Sequence, residues 1–121
     1  MSTSPTLKVA AAQMVSAPET APNLAAAARL IGEAAAGGAQ VVVLPEYFCL
    51  LGRRDTDKVD VREPDGDGPL QAFLAEQAAA HRVWLVGGTV PLACARPTRV
   101  RNACLVYGPD GARRARYDKI N

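Results

Sequence analysis

Long apolar runs are what this chain lacks most plainly. No stretch of its 121 residues approaches the roughly 20 apolar positions that a membrane span requires, so no membrane partner is expected. Cysteine is scarce too. Cys49, Cys94 and Cys104 form an odd set without paired spacing, which provides no disulfide framework. With no secretory leader at the N-terminus, that usage predicts a reducing, cytoplasmic setting. Charge is nearly balanced, and a net +2 is too small to suggest a nucleic-acid binder. No G-x-G-x-x-G follows the first apolar stretch, and Gly37-Gly38 and Gly87-Gly88 stand in the wrong context, which argues against a Rossmann-like nucleotide site. Aromatics make up only 5%. Much of the 49% hydrophobic content is alanine, which buries little area, so the core is expected to lean on Val, Leu, Ile, Trp84 and Phe73. The single histidine, His81, falls at a predicted helix end and reads as a capping residue.

What is present is organised around Val41-Val42-Val43-Leu44-Pro45-Glu46-Tyr47-Phe48. The apolar, β-branched run predicts a strand buried on both faces. Proline then ends the strand and holds the backbone extended. Glu46 follows at the C-terminal end of a buried strand, where open α/β sheets keep their ligand sites. Loss of water there would raise its pKa towards that of a general base. A solvent-facing glutamate opening a loop is the alternative from this pattern alone.

Upstream, Leu7–Met14 reads as a first strand, with Leu7, Val9 and Ala11 on one face. Residues 22–36 have helical period through Leu24, Ala27, Ala28, Ile31 and Ala35, started by Pro22 or Asn23 and stopped at Gly37-Gly38. These elements and the Val41 strand predict a βαβ unit with a parallel pair, which sets Gln13-Met14 at the same sheet edge as Glu46. Residues 49–69 are polar and read as a solvated segment near the mouth of a site. Asp55 and Asp57 fit two places of a calcium loop, but Val59 occupies the third, so no metal is expected.

Pro69 opens a second helix whose buried stripe is Leu70, Phe73, Leu74 and Gln77/Ala78. Val83–Val90 is a third, buried strand ended by Pro91, and Gly87-Gly88 invites close approach of another backbone or a ligand. Gly108-Pro109-Asp110-Gly111 between two strand patterns signals a β-hairpin. In its second strand Arg114, Arg116 and Asp118 make the wet face, while Ala115 and Tyr117 pack and share their side with Lys119. Residues 91–121 hold seven Lys/Arg against two Asp, read as a solvated face. Residues 7–121 are expected to form one domain, with 1–6 a loose terminus.

The segments VAAAQM, VVLPEYF, VWLVGGTVP and RNACLVYGPDGARRARYDKIN, in this order, resemble the N-terminal half of the nitrilase-superfamily carbon–nitrogen hydrolases. They look most like the ω-amidase and deaminated-glutathione-amidase branch. The resemblance implies an α/β fold, an αββα sandwich of which this chain holds the N-terminal half. It also implies a Glu-Lys-Cys catalytic set, with Glu46 as general base and Lys119 as stabiliser of the oxyanion. The chemistry is coherent: a thiol needs a base, and a developing oxyanion needs a fixed donor. The family's nucleophilic cysteine lies beyond the lysine on a later strand, and none of the three cysteines stands at that place. Cys49 is close to Glu46 in sequence, yet buried cysteines are mostly inert; Cys104 reads as core. Where the family commonly has a histidine after Lys-Ile, this chain has Asn121.

Two functions are therefore weighed. In the first, the chain belongs to an enzyme cleaving the C–N bond of a small amide or nitrile with ammonia release, without cofactor or metal, dimeric when complete and inactive as this chain alone. In the second, it is a truncated, non-catalytic paralogue that acts as an interaction module and covers its open sheet with a partner.

Overall fold

The computed structural model describes residues 5–54 and 56–120. The loose terminus expected for residues 1–6 falls partly outside these, as do Asp55 of the calcium-loop comparison and Asn121 at the family's histidine position. Five strands, β1 (Val9–Ala11), β2 (Val41–Val43), β3 (Trp84–Ala93), β4 (Val100–Tyr107) and β5 (Arg113–Asp118), form one sheet in that spatial order. The first three run parallel, and β3, β4 and β5 are successively antiparallel. Helices α1 (Thr20–Ala36), α2 (Asp57–Asp60) and α3 (Pro69–His81) complete the order. The βαβ unit and the hairpin thus form where their patterns place them. The fold is α/β, one helix-covered sheet of the αββα arrangement.

Helix α1 begins two residues before Pro22, because a proline in the first turn gives up an N–H that has no helical partner anyway. Asn23 is not its start but a buried clasp. Its side chain accepts from Ala17 N at 2.7 Å and donates to the carbonyls of Ala17 (2.8 Å) and Cys49 (2.9 Å). Ala27 and Ile31 face the core, and Gly38 takes the left-handed backbone (φ 92°) that ends the helix. Helix α3 starts at Pro69 as expected, but buries Leu70, Gln71, Leu74 and Ala78; Phe73 and Gln77 are only half-buried.

The sheet has one covered face. Val42, Leu85, Ala103 and Leu105 on the helix side are fully buried. Opposite them, the paired rows Val9–Val41–Trp84 and Ala11–Val43–Val86–Val106–Ala115, with Cys104–Tyr117, lie on the other face. There Val9 is 53%, Trp84 41% and Tyr117 60% exposed. This corrects four expectations together. The central strands are not buried on both faces, Trp84 is not core, Tyr117 does not pack, and Cys104 is half-buried on the open side. Each followed from reading an apolar strand as enclosed, whereas these helices cover one side only. The aromatic that fills the core is Phe48, with no exposed surface.

Two boundaries also differ. Pairing of the first strand is confined to Val9–Ala11, extended by Ala12 N donating to Val43 O. Strand β3 continues through Pro91 to Ala93. Pro91 turns its missing donor toward the side where β2 has already ended, and its carbonyl accepts from Glu63 N at 3.1 Å, so no ladder bond is lost.

The close approach expected at Gly87-Gly88 is present. A Cβ on Gly88 would collide with the Pro45 carbonyl and stand 2.8 Å from the Leu44 oxygen. Gly88→Ala is therefore expected to cost roughly 3 kcal/mol, the upper part of the over-packing range, read as a lower urea midpoint. An unchanged midpoint would show that strand and turn can part freely.

Candidate functional site

The Glu46 turn is held by what surrounds it. Leu44 N donates to Val86 O at 2.9 Å, carrying the ladder one residue past β2. Pro45 interrupts it, and Phe48, Cys49 and Leu50 return to the core. Glu46 is left outward on the crest of the turn. Tyr47 beside it adopts φ 55°, a left-handed conformation unusual for an aromatic residue. Its N–H donates to Thr89 Oγ1 at 3.1 Å.

Lys119 arrives from the far end of the sheet. Its backbone N–H donates to Asn102 O at 2.9 Å, prolonging β5 by one residue. The Lys119 Nζ then lies 2.7 Å from Glu46 Oε1. Two residues distant in sequence thus meet at one edge of the sheet. The water loss expected for Glu46 is absent: its side chain is 52% exposed and that of Lys119 40%. The hydrogen bond that Lys119 donates to Glu46, and then the charge of that carboxylate, hold the Lys119 amine above the ordinary lysine range. A second cation is close by, with Lys58 Nζ 3.3 Å from the Tyr47 hydroxyl and 4.6 Å from its ring centroid.

Strand β5 is fixed from the side by residues that the sequence left in a solvated loop. Asp65 pairs with Arg113 and, at 3.3 Å, with Arg116. A register shift opposite Val106/Tyr107 brings these two arginines, three apart, to one carboxylate. The Arg113 hydrogen bond, with the charges of Arg113 and Arg116, holds the Asp65 carboxyl below the usual carboxylate range. Arg116 also forks onto Asp118 at 2.7 and 3.1 Å. Glu63 is buried against the start of α3, another correction to the solvated reading of residues 49–69. The available signal was an acid a few residues before Gly68-Pro69, in reach of a helix N-terminus.

The cysteines do not join the pair. Cys49 is 1% exposed and its Sγ donates to Thr89 O at 3.7 Å. Burial, reinforced by the negative charge of Glu63, pushes its thiol up to about 12. Cys94 directs its thiol to the carbonyls of Arg96 and Arg99. Burial also raises the Cys104 thiol. Iodoacetamide at neutral pH is thus expected to leave Cys49 unmodified in the folded chain and to label it once urea unfolds the protein, as read by peptide mass spectrometry. Labelling of Cys49 in the native state would sink that assignment.

Among the described residues no three His, Cys, Asp or Glu side chains are placed to hold a metal ion, and no helix is long and apolar enough to cross a membrane. A groove of about 510 Å³ runs past Leu50, Arg53, Arg54 and Asp57, but neither Glu46 nor Lys119 lines it. The Glu46–Lys119 ion pair thus stands apart from this groove. A carboxylate and an ammonium in hydrogen-bond contact at a sheet edge can exchange a proton with, and bind the charge of, one reacting centre.

The sequence profile of the carbon-nitrogen hydrolases matches residues 8–121, and the chain belongs to that family. It is similar to the chloroplastic omega-amidase of Arabidopsis thaliana, 33% identical over 102 residues, which are 82% of this chain and 27% of the plant protein. It is similar also to the deaminated glutathione amidase of Yersinia enterocolitica, 32% identical over 93% of this chain and 39% of the relative. The C. elegans NitFhit protein superposes with a TM-score of 0.81 at 26% identity, covering 93% of this chain and 27% of the other. Saccharomyces cerevisiae Nit3, of branch 10 of the nitrilase superfamily, gives 0.76 at 26%, covering 88% and 41%. The chain spans less than half the length of each.

Proposed function

We propose that this chain supplies the general base, Glu46, and the oxyanion donor, Lys119, of an ω-amidase-type hydrolase that releases ammonia from a small amide. A nitrile is the alternative substrate. The observation that supports this reading above all others is the 2.7 Å contact between Glu46 Oε1 and Lys119 Nζ. In the reaction a cysteine thiol gives its proton to the Glu46 carboxylate, and the thiolate adds to the amide carbon. Negative charge gathers on the carbonyl oxygen, where the Lys119 ammonium donates. The C–N bond breaks as the proton on Glu46 passes to nitrogen, leaving a thioester. Glu46 then takes a proton from water, whose oxygen displaces the thiol as a free acid forms.

The nucleophile is the missing partner, since the protonated, buried Cys49 is unsuited to the task. The reading therefore has the thiol come from polypeptide outside these 121 residues, which would also cover the open face of the sheet. The complete enzyme is proposed to be a cytoplasmic homodimer without cofactor. The open face favours a second reading, an interaction module that pairs with another chain and performs no chemistry. Reading the coding sequence past codon 121, then assaying ammonia release by the encoded protein, separates the two. Turnover that depends on a cysteine in the added segment is expected. A stop codon at that place would hand the case to the interaction reading.

A further inference from the structure

Strand β3 loses its regular alternation immediately beside the Glu46 turn. Gly87 pairs with Leu105 and Val90 with Ala103, so three steps along β3 match two along β4. One residue is extra, and the bulge falls at Gly88-Thr89. Before it, Leu85 and Gly87 face the helices while Val86 and Gly88 face the open side. After it the parity is broken, and adjacent Thr89 and Val90 are both buried, at 5% and 0% exposure. A bulge next to a site characteristically re-aims one side chain. Here it turns Val90 inward directly beside Thr89, which already shares the inward parity of Leu85 and Gly87 and whose buried hydroxyl must find a partner.

That partner is the N–H of Tyr47, at 3.1 Å. It belongs to the peptide that directly follows Glu46, in a turn whose next residue holds a left-handed φ of 55°. Such a conformation persists in a non-glycine residue only when its surroundings enforce it. The enforcement is local. Gly88 lets the Pro45 carbonyl in by having no Cβ, Val86 O binds Leu44 N, and Thr89 O receives the Cys49 thiol. Among the described residues only the Thr89 hydroxyl binds the peptide N–H that follows the carboxylate residue.

We infer that Thr89 is a positioning residue for Glu46, its hydroxyl fixing the strained turn so that the carboxylate stays against Lys119. The inference rests on the reading that the Glu46–Lys119 pair is the working site. Without the hydroxyl, the Tyr47 N–H loses its acceptor and the turn relaxes away from its left-handed state. That rotation swings Glu46 off the ammonium.

The test follows the Lys119 ammonium by side-chain nitrogen NMR in the 121-residue chain, which needs no turnover. Glu46→Gln sets the unpaired reference. Thr89→Val is expected to bring the Lys119 titration down to that reference, while Thr89→Ser, which keeps the hydroxyl, retains the raised value. A Thr89→Val protein that titrates like the unmodified chain would overturn the positioning role and leave the ion pair standing. If Glu46→Gln itself leaves Lys119 unmoved, the pair and the positioning role fall together. Should Thr89→Val not fold, amide exchange in the unmodified chain decides. The Tyr47 N–H should exchange roughly tenfold or more slowly than an unbonded loop amide, and exchange at the open-loop rate overturns the inference.

Discussion

Glu46→Gln in the complete hydrolase is expected to lower ammonia release by on the order of 10² to 10⁴-fold, the range for loss of a positioned general base. Lys119→Ala is expected to cost about 10² to 10³-fold, as removal of one oxyanion donor does. On the proposed mechanism both losses should appear mainly in kcat, because each group would act on charge and protons that develop only in the transition state. Combining the two substitutions should cost little more than the worse single one, since the residues act on one intermediate. The pH profile has a defined sign. Glu46 holds the Lys119 amine above its ordinary range, so the alkaline fall in rate that reports loss of the ammonium should begin higher than for a free lysine. In Glu46→Gln that alkaline limit should move down. Full activity in either single variant would remove the pair from the chemistry, whatever its geometry.

How much of this was legible in the sequence depended on whether the cause was local. The body and end of α1, the hairpin at Gly108–Gly111 and the end of β2 before Pro45 are dictated by neighbours in the chain, and they formed where read, although α1 starts two residues early. The close approach at Gly87-Gly88 was legible because a double glycine in an apolar strand has few other uses. The Glu46–Lys119 meeting came from the family resemblance; strand alternation alone left Lys119 only on the side of Tyr117. What failed was everything that depends on a second layer. Val41, Val43, Trp84 and Tyr117 have the composition of enclosed strand residues, and their sequence does not say which element encloses them. Thr89 was hidden because its partner, the Tyr47 N–H, lies 42 residues away in the chain, and alternation says which side a hydroxyl faces but not what it meets there. Glu63 and Asp65 were hidden because acids in a polar run look solvated until a helix start or an arginine pair is brought to them.

Glu63→Ala is expected to be the most damaging single change to stability, by about 3–5 kcal/mol in urea unfolding. Glu63 Oε2 accepts from Leu70 N at 2.6 Å, and Oε1 accepts from Gln71 N and Nε2 at 3.1 and 3.0 Å. Two of these donors belong to the first turn of α3, where the helix supplies no acceptor of its own. The carboxylate also faces the positive end of a 13-residue helix. Truncation leaves buried donors without partners, and the loss of each costs more than the bond was worth in net terms. Glu63→Gln, which keeps one oxygen in place, should cost markedly less. Gly68 belongs to the same device, because a Cβ there would stand on the Glu63 carboxyl. The effect should extend to the site. The backbone of Glu63 ties the loop to β3 through Pro91 and Ala93, and two residues later Asp65 holds Arg113 and Arg116 of β5. Glu63→Ala should therefore loosen β5 and weaken the Lys119 contact with Glu46 before the chain unfolds globally. Amide exchange at Lys119 that accelerates more than exchange in α1 would show that order. Uniform acceleration would mean that the carboxylate stabilises the whole fold and guards no part of the site in particular.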